Sequence, residues 1–233
     1  MQPMGGTQSR IALAAVAATL AFAGLAGTAN AGAVIQSDPT AYTFLPGPYE
    51  QDLGESAIFD NSAASSYHDV TANRKGPDGR PLFFASIIPG GKTATVKGTE
   101  YLTAGTYPFF CTLHGQGMNG ALTIDGSKGT IVARPAVKVA VVAASLKQTR
   151  KSGVKVKVNG ITASRGVAVK ASLGKTTLGS IRGLTLKAGQ SRTLNLPLTG
   201  GGRKALQKVE SARIALKATV PFGKPATASR RIR

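Results

Sequence analysis

Hydrophobic and polar positions follow two different patterns along this chain. Between residues 33 and 126 the apolar residues come in short runs: AYTFLPGPY, ESAIFDN, YHDVTA, PLFFASI, KTATVKG, GTYPFFC and GALTI. Turn formers separate them at Pro46-Gly47, Asp60-Asn61, Gly76-Pro77-Asp78-Gly79 and Pro89-Gly90-Gly91. No segment sustains a 3.6-residue apolar period, so each run predicts a strand and the whole predicts a β-sandwich. Beyond residue 135 the alternation becomes strict. Val154, Val156 and Val158 enclose Lys155 and Lys157, and the same spacing recurs at Val167/Val169, Leu194/Leu196/Leu198 and Ile214/Leu216/Ala218. Period two puts these aliphatics on a buried face and the lysines in solvent. One short helix is predicted at 203–209, after the glycine run 200–202. The fold class expected is all-β, one sandwich followed by a second antiparallel sandwich domain.

Charge divides the chain at the same place. Residues 32–126 hold nine acidic and five basic side chains, a net of −4. From residue 127 onward 23 Lys and Arg face one acid, Glu210, a net of +22. Two domains are therefore expected at 32–126 and 137–233, joined by a linker at 127–136, each large enough for its own core. The positive half suits an anionic envelope polymer, a membrane surface or an acidic redox partner. Nucleic acid is not expected, because Phe222 is the sole aromatic after residue 126 and bases would find no stacking platform.

Residues 1–31 read as an export signal. Arg10 precedes an alanine-rich apolar run, and Ala29-Asn30-Ala31 fits a small-x-small cleavage site. The run is short and weakly hydrophobic for a membrane anchor, so cleavage after Ala31 is expected. No cysteine follows it for lipid attachment and no twin arginine precedes it, which makes general secretion the simpler route. The expected location is periplasmic, cell-wall associated or extracellular.

Cysteine usage then becomes informative. Exported domains that use cysteine structurally pair it, yet Cys111 is the only one here. It opens the stretch CTLHGQGM, which also holds His114 and ends on Met118, the only methionine outside the leader. The second of two histidines, His68, sits in YHDV. Two imidazoles, a thiolate and a thioether suit a copper ion held by two His and one Cys with a weak axial Met. Zinc is the rival metal, but its structural sites take Cys and His without thioether. Gln116 is a rival axial ligand, placed less well than Met118 because it lies early in the loop. Tyr107, Phe109 and Cys111 share one strand face, which points the sulfur into an apolar interior. A buried, metal-free core cysteine is the plain alternative.

These residues carry a family resemblance. The His in YHDVTA, the lead-in AGTYPFFC and the Cys-x2-His…Met loop before NGALTI resemble the plastocyanin-like cupredoxins over roughly residues 41–124. The resemblance implies a Greek-key β-sandwich with one type 1 blue copper ion, ligated by His68, Cys111, His114 and Met118. It implies that Asp69 ties its strand to the ligand loop near Thr112, where plastocyanins usually carry Asn. Three residues separate His114 from Met118, against four in plastocyanins and two in amicyanins. It also implies an electron carrier rather than an enzyme, acting as a monomer with redox protein partners. Electrons would pass at the edge of His114, amid Leu113, Gly115 and Pro46. Competing expectations are a non-redox copper-sequestering protein and an envelope-adhesion protein with a vestigial site. A multicopper oxidase needs further histidines, and none remain.

Overall fold

The computed structural model describes residues 32–233; the expected export signal lies outside the described residues. The architecture is all-β, with two antiparallel-rich sandwiches in series. The first comprises β1 (Val34–Gln36), β2 (Tyr49–Leu53), β3 (Ile58–Asn61), β4 (His68–Ala72), β5 (Phe84–Ile88), β6 (Lys92–Thr95), β7 (Gly105–Cys111) and β8 (Gly115–Gly129). Three strands in the order β1-β3-β6 face five in the order β2-β8-β7-β4-β5. Between them lies one apolar core built on Ile35, Phe59, Val70, Phe83, Phe109 and Leu122. Phe109 is its centre, with ring centroids 5.1 Å from Phe44, 5.9 Å from Tyr49 and 6.4 Å from Phe83. Its partner across β8 is Gly120, where a Cβ would stand 2.6 Å from the Phe109 ring, so only glycine leaves room for it.

Most predicted strands form, with one shift. AYTFLPGPY does not make a strand: Phe44 contributes only an isolated bridge to Ser37, and the strand begins at Tyr49. Pro46 and Pro48 lack the N–H groups a ladder needs. At the other end β8 runs on to Gly129, which pairs with Leu53 three residues into the segment expected as linker.

The second sandwich comprises β9 (Val137–Val141), α1 (Leu146–Ser152), β10 (Val154–Gly160), β11 (Ser164–Leu173), β12 (Thr176–Leu186), β13 (Ser191–Leu196), α2 (Gly200–Gln207), β14 (Ala212–Thr219) and β15 (Ala226–Ile232). Sheets β13-β10-β9 and β12-β11-β14-β15 enclose a core of Val154, Val156, Val158, Val167, Val169, Ile214 and Leu216. The alternating aliphatics thus point inward as their spacing predicts. Helix α2 starts three residues earlier than expected, because the Thr199 hydroxyl caps it by accepting from the Gly202 N–H at 2.9 Å.

Phe222 forms the seam between the two sandwiches. Its ring lies 5.8 Å from Phe84 and 5.9 Å from Tyr101, over Gly98. Its N–H donates to Asp78 Oδ2 at 2.9 Å, and Arg134 donates to its carbonyl at 3.3 Å. Phe222 has φ of 61°, a left-handed conformation that a bulky residue adopts only when its surroundings hold it there. Gly98, itself at φ 98°, leaves the ring its space: a Cβ there would stand 2.6 Å from Phe222. Phe222→Ala should cost about 1–2 kcal/mol of coupling between the sandwiches. Amide-relaxation measurements should then give each its own rotational correlation time, where the parent chain gives one.

Candidate metal centre

The pleat of β7 determines where the sulfur goes. Tyr107, Phe109 and Cys111 alternate inward along this strand, and Cys111 closes it fully buried. A tight turn follows, with the His114 N–H donating to the Cys111 carbonyl at 3.2 Å. The chain reverses into β8, where Asn119 pairs with Phe110. Met118, the residue before Asn119, falls on the inward face, fully buried in the same apolar cluster as Cys111. His68 opens β4 and pairs with Ile88 on β5. Asn61 anchors the approach to it, donating from Nδ2 to the carbonyls of Ser66 at 2.9 Å and Ile88 at 3.3 Å.

His68, Cys111 and His114 meet at one point. Their donor atoms lie within 4.8 Å of one another. Cys111 Sγ is 3.5 Å from His114 Nδ1 and 3.9 Å from His68 Nδ1, so both rings present the same nitrogen to the sulfur. Two imidazoles facing a buried thiol through like nitrogens form a set of convergent lone pairs, the arrangement a soft cation requires.

Burial favours the neutral form of both groups, which leaves the His68 imidazole free to ligate, whereas the Cys111 thiol gives up its proton when a metal binds. Burial pushes the Cys111 thiol up; backbone N–H groups around it, including those of Leu113 and His114, pull the other way. Burial, then the nearby His114, hold His68 below the usual imidazole value, with Asp69 partly opposing them. Asp69 is itself buried. Its Oδ1 accepts from the Thr112 N–H at 2.6 Å, and its Oδ2 accepts from the Thr112 hydroxyl. The strand bearing His68 is thus tied to the residue after Cys111, the contact the sequence resemblance implies for Asp69.

Tyr42 is the residue the sequence reading missed. Its ring stacks on His114 at 4.4 Å with an interplanar angle of 15°, and meets His68 edge-on at 6.2 Å. It is 61% exposed, so it forms the outer wall of the centre. The turn that presents it is rigid: Asp38 Oδ1 accepts from the N–H groups of Thr40 and Ala41, both at 2.8 Å. Those two bonds hold the Asp38 carboxyl below the usual carboxylate range. The available signal was an aromatic placed just after an Asp-Pro-Thr turn. Tyr67 and Leu113, the chain neighbours of His68 and His114, are 59% and 50% exposed.

No protein-family profile matches the chain. Among solved structures, it is similar to a purple cupredoxin from Nitrosopumilus maritimus, with 19% identity over 40% of this chain and 99% of that one, TM-score 0.30. It is also similar to auracyanin A, a "blue" copper protein from Chloroflexus aurantiacus, with 18% identity over 40% of this chain and 96% of that one, TM-score 0.29.

Proposed function

We propose that this protein is an exported type 1 copper protein of the cupredoxin kind that carries single electrons between redox partners and is not an enzyme. The observation that carries this reading is the convergence of one buried sulfur and two imidazole Nδ1 atoms within 4.8 Å. His68, Cys111 and His114 would hold the ion strongly, and Met118, buried in the same core cluster as Cys111, would be the weaker fourth ligand. Copper when bound supplies a one-electron couple between Cu(I) and Cu(II). The protein supplies a rigid, dry cradle. Asp69 fixes the loop, the Phe109 cluster excludes water, and strands rather than mobile segments carry His68 and Cys111. A cradle that does not rearrange keeps the reorganisation cost of electron transfer low.

Partners of matching apolar character would dock at Tyr42, which stacks on His114, and at Tyr67 and Leu113, the exposed chain neighbours of the two histidines. The basic half, 137–233 with its linker at 127–136, would hold a monomeric carrier to an anionic surface of the envelope. No helix among the described residues is long and apolar enough to cross a membrane.

Voltammetry of the copper-loaded protein tests the electron-carrier reading. A reversible one-electron wave is expected; tight copper retention with an irreversible wave would indicate storage instead. The wall formed by Tyr42 has its own consequence. A stacked aromatic pair contributes about 0.5–1.5 kcal/mol, so Tyr42→Ala should weaken copper retention about 2- to 12-fold against a competing chelator. Tyr42→Phe, which keeps the ring, should remain near the parent value.

A further inference from the structure

The outer face of the sheet β12-β11-β14-β15 carries an arrangement that folding alone does not favour. Outward residues on β11 are Ala168, Lys170 and Ser172; on β14 they are Arg213, Ala215, Lys217 and Thr219. The register sets Lys170 directly opposite Lys217, and Arg213 directly opposite Arg231 of β15. Directly opposed side chains in an antiparallel pair share a face about 4.5–5.5 Å apart at Cβ, where like charges repel. No ion pair relieves this. Among the described residues the one salt bridge joins Arg80 to Asp78, in the first sandwich.

Between the cations the side chains are small. Two adjoining troughs of about 590 and 530 Å³ lie on this face, and both are lined by Lys170 and Lys217. One is bounded by Ser172 and Ser229, the other by Ser180 and Arg182. Across four strands they span about 14 Å. The lining offers ammonium, guanidinium and hydroxyl donors on a floor of small residues. It has no carboxylate or amide oxygen to read sugar hydroxyls, and no aromatic ring to stack a sugar or a base.

We infer that this sheet face is a binding site for a linear phosphate-bearing polymer without bases, with the Lys170–Lys217 pair bridging successive phosphates. The polymer supplies the counter-charge that the fold withholds. The inference deepens the reading of the basic half as an anchor and is independent of copper binding.

The alternative is a diffuse positive field, because the β10 face of the other sheet also exposes lysines, Lys155 and Lys157. Charge-matched variants of the whole chain separate the two. Binding of inorganic polyphosphate is measured by titration calorimetry at several salt concentrations for the parent, for Lys170→Gln/Lys217→Gln and for Lys155→Gln/Lys157→Gln. Each variant removes two charges. The first should weaken binding about 10- to 30-fold, at roughly 1 kcal/mol per cation. Its logarithmic salt slope should fall by about 1.4. The second should change affinity less than 2-fold. The melting temperature of the first variant should hold or rise, since a repulsive pair is removed, so lost binding does not report unfolding. Equal losses in both variants, or no binding by the parent, would overturn the inference. Tighter binding of a single-stranded oligonucleotide of equal charge, or equally tight binding of a carboxylate polymer such as alginate, would overturn the choice of partner.

Discussion

Cys111→Ser is expected to abolish intense visible absorption in copper-treated protein and to weaken copper retention by more than the 10- to 100-fold typical of losing a ligand's hydrogen-bond partner. The buried sulfur is the only soft anionic donor that the chain can bring to this point. Serine is close in size and would leave the β7 pleat and the His114 turn in place. Its hydroxyl stays protonated at neutral pH and is a poor match for a soft ion. His68 and His114 would still offer two nitrogens, so residual weak binding with a pale spectrum is the expected remainder. Retention of the parent spectrum in this variant would remove the thiolate from the site. Circular dichroism of the variant should match the parent, because the substitution leaves the core cluster around Phe109 untouched.

Phe109→Ala should produce the largest loss of stability in the first sandwich, about 3–5 kcal/mol. The ring is fully buried and touches Phe44, Tyr49 and Phe83, so its removal opens a cavity that three separate chain segments must collapse to fill. Gly120 cannot help, since it has no side chain to move into the space. For a unit of this size a loss of that magnitude lowers the melting temperature by roughly 15 °C or more. Because Cys111 follows two residues later on the same strand face, copper retention should fall with stability. Phe109→Leu keeps most of the volume and should lose far less of both. Denaturant unfolding of the parent and both variants checks the ranking. Equal stability of the alanine variant and the parent would mean that the core is not organised around this ring.

Much of this was legible in the sequence where side-chain period and backbone state coincide. β10, β11 and β14 announce themselves because each buries one face only, and strict alternation survives in the chain. The meeting of His68, Cys111 and His114 was legible from residue inventory, since no other His or Cys competes for the role. Other elements lack such a signal. β12 is irregular: Gly183 sits at φ 75° and the pairing with β11 shifts register three times, which breaks the period. Helix α1 reads as polar because only Leu146 and Thr149 of its seven residues are buried, and its stability comes from the Ser145 cap and the core beneath. Tyr42 escaped notice for a related reason. A stacking partner reached through an Asp38 turn has no periodicity, and its neighbour His114 lies 72 residues away in sequence. Phe222 was visible as a lone aromatic, but its docking on Phe84 and Tyr101 depends on how two separate cores meet.

The most direct measurement is a titration of residues 32–233 with Cu(II), followed by visible absorption and electron spin resonance. One equivalent should saturate the protein and produce an intense visible band with narrow copper hyperfine splitting, the signature of a thiolate bound to copper in a buried, low-symmetry site. A pale spectrum with wide splitting, or no stoichiometric end point, would mean that His68, Cys111 and His114 do not act together on one ion, and the electron-carrier reading would fall with them.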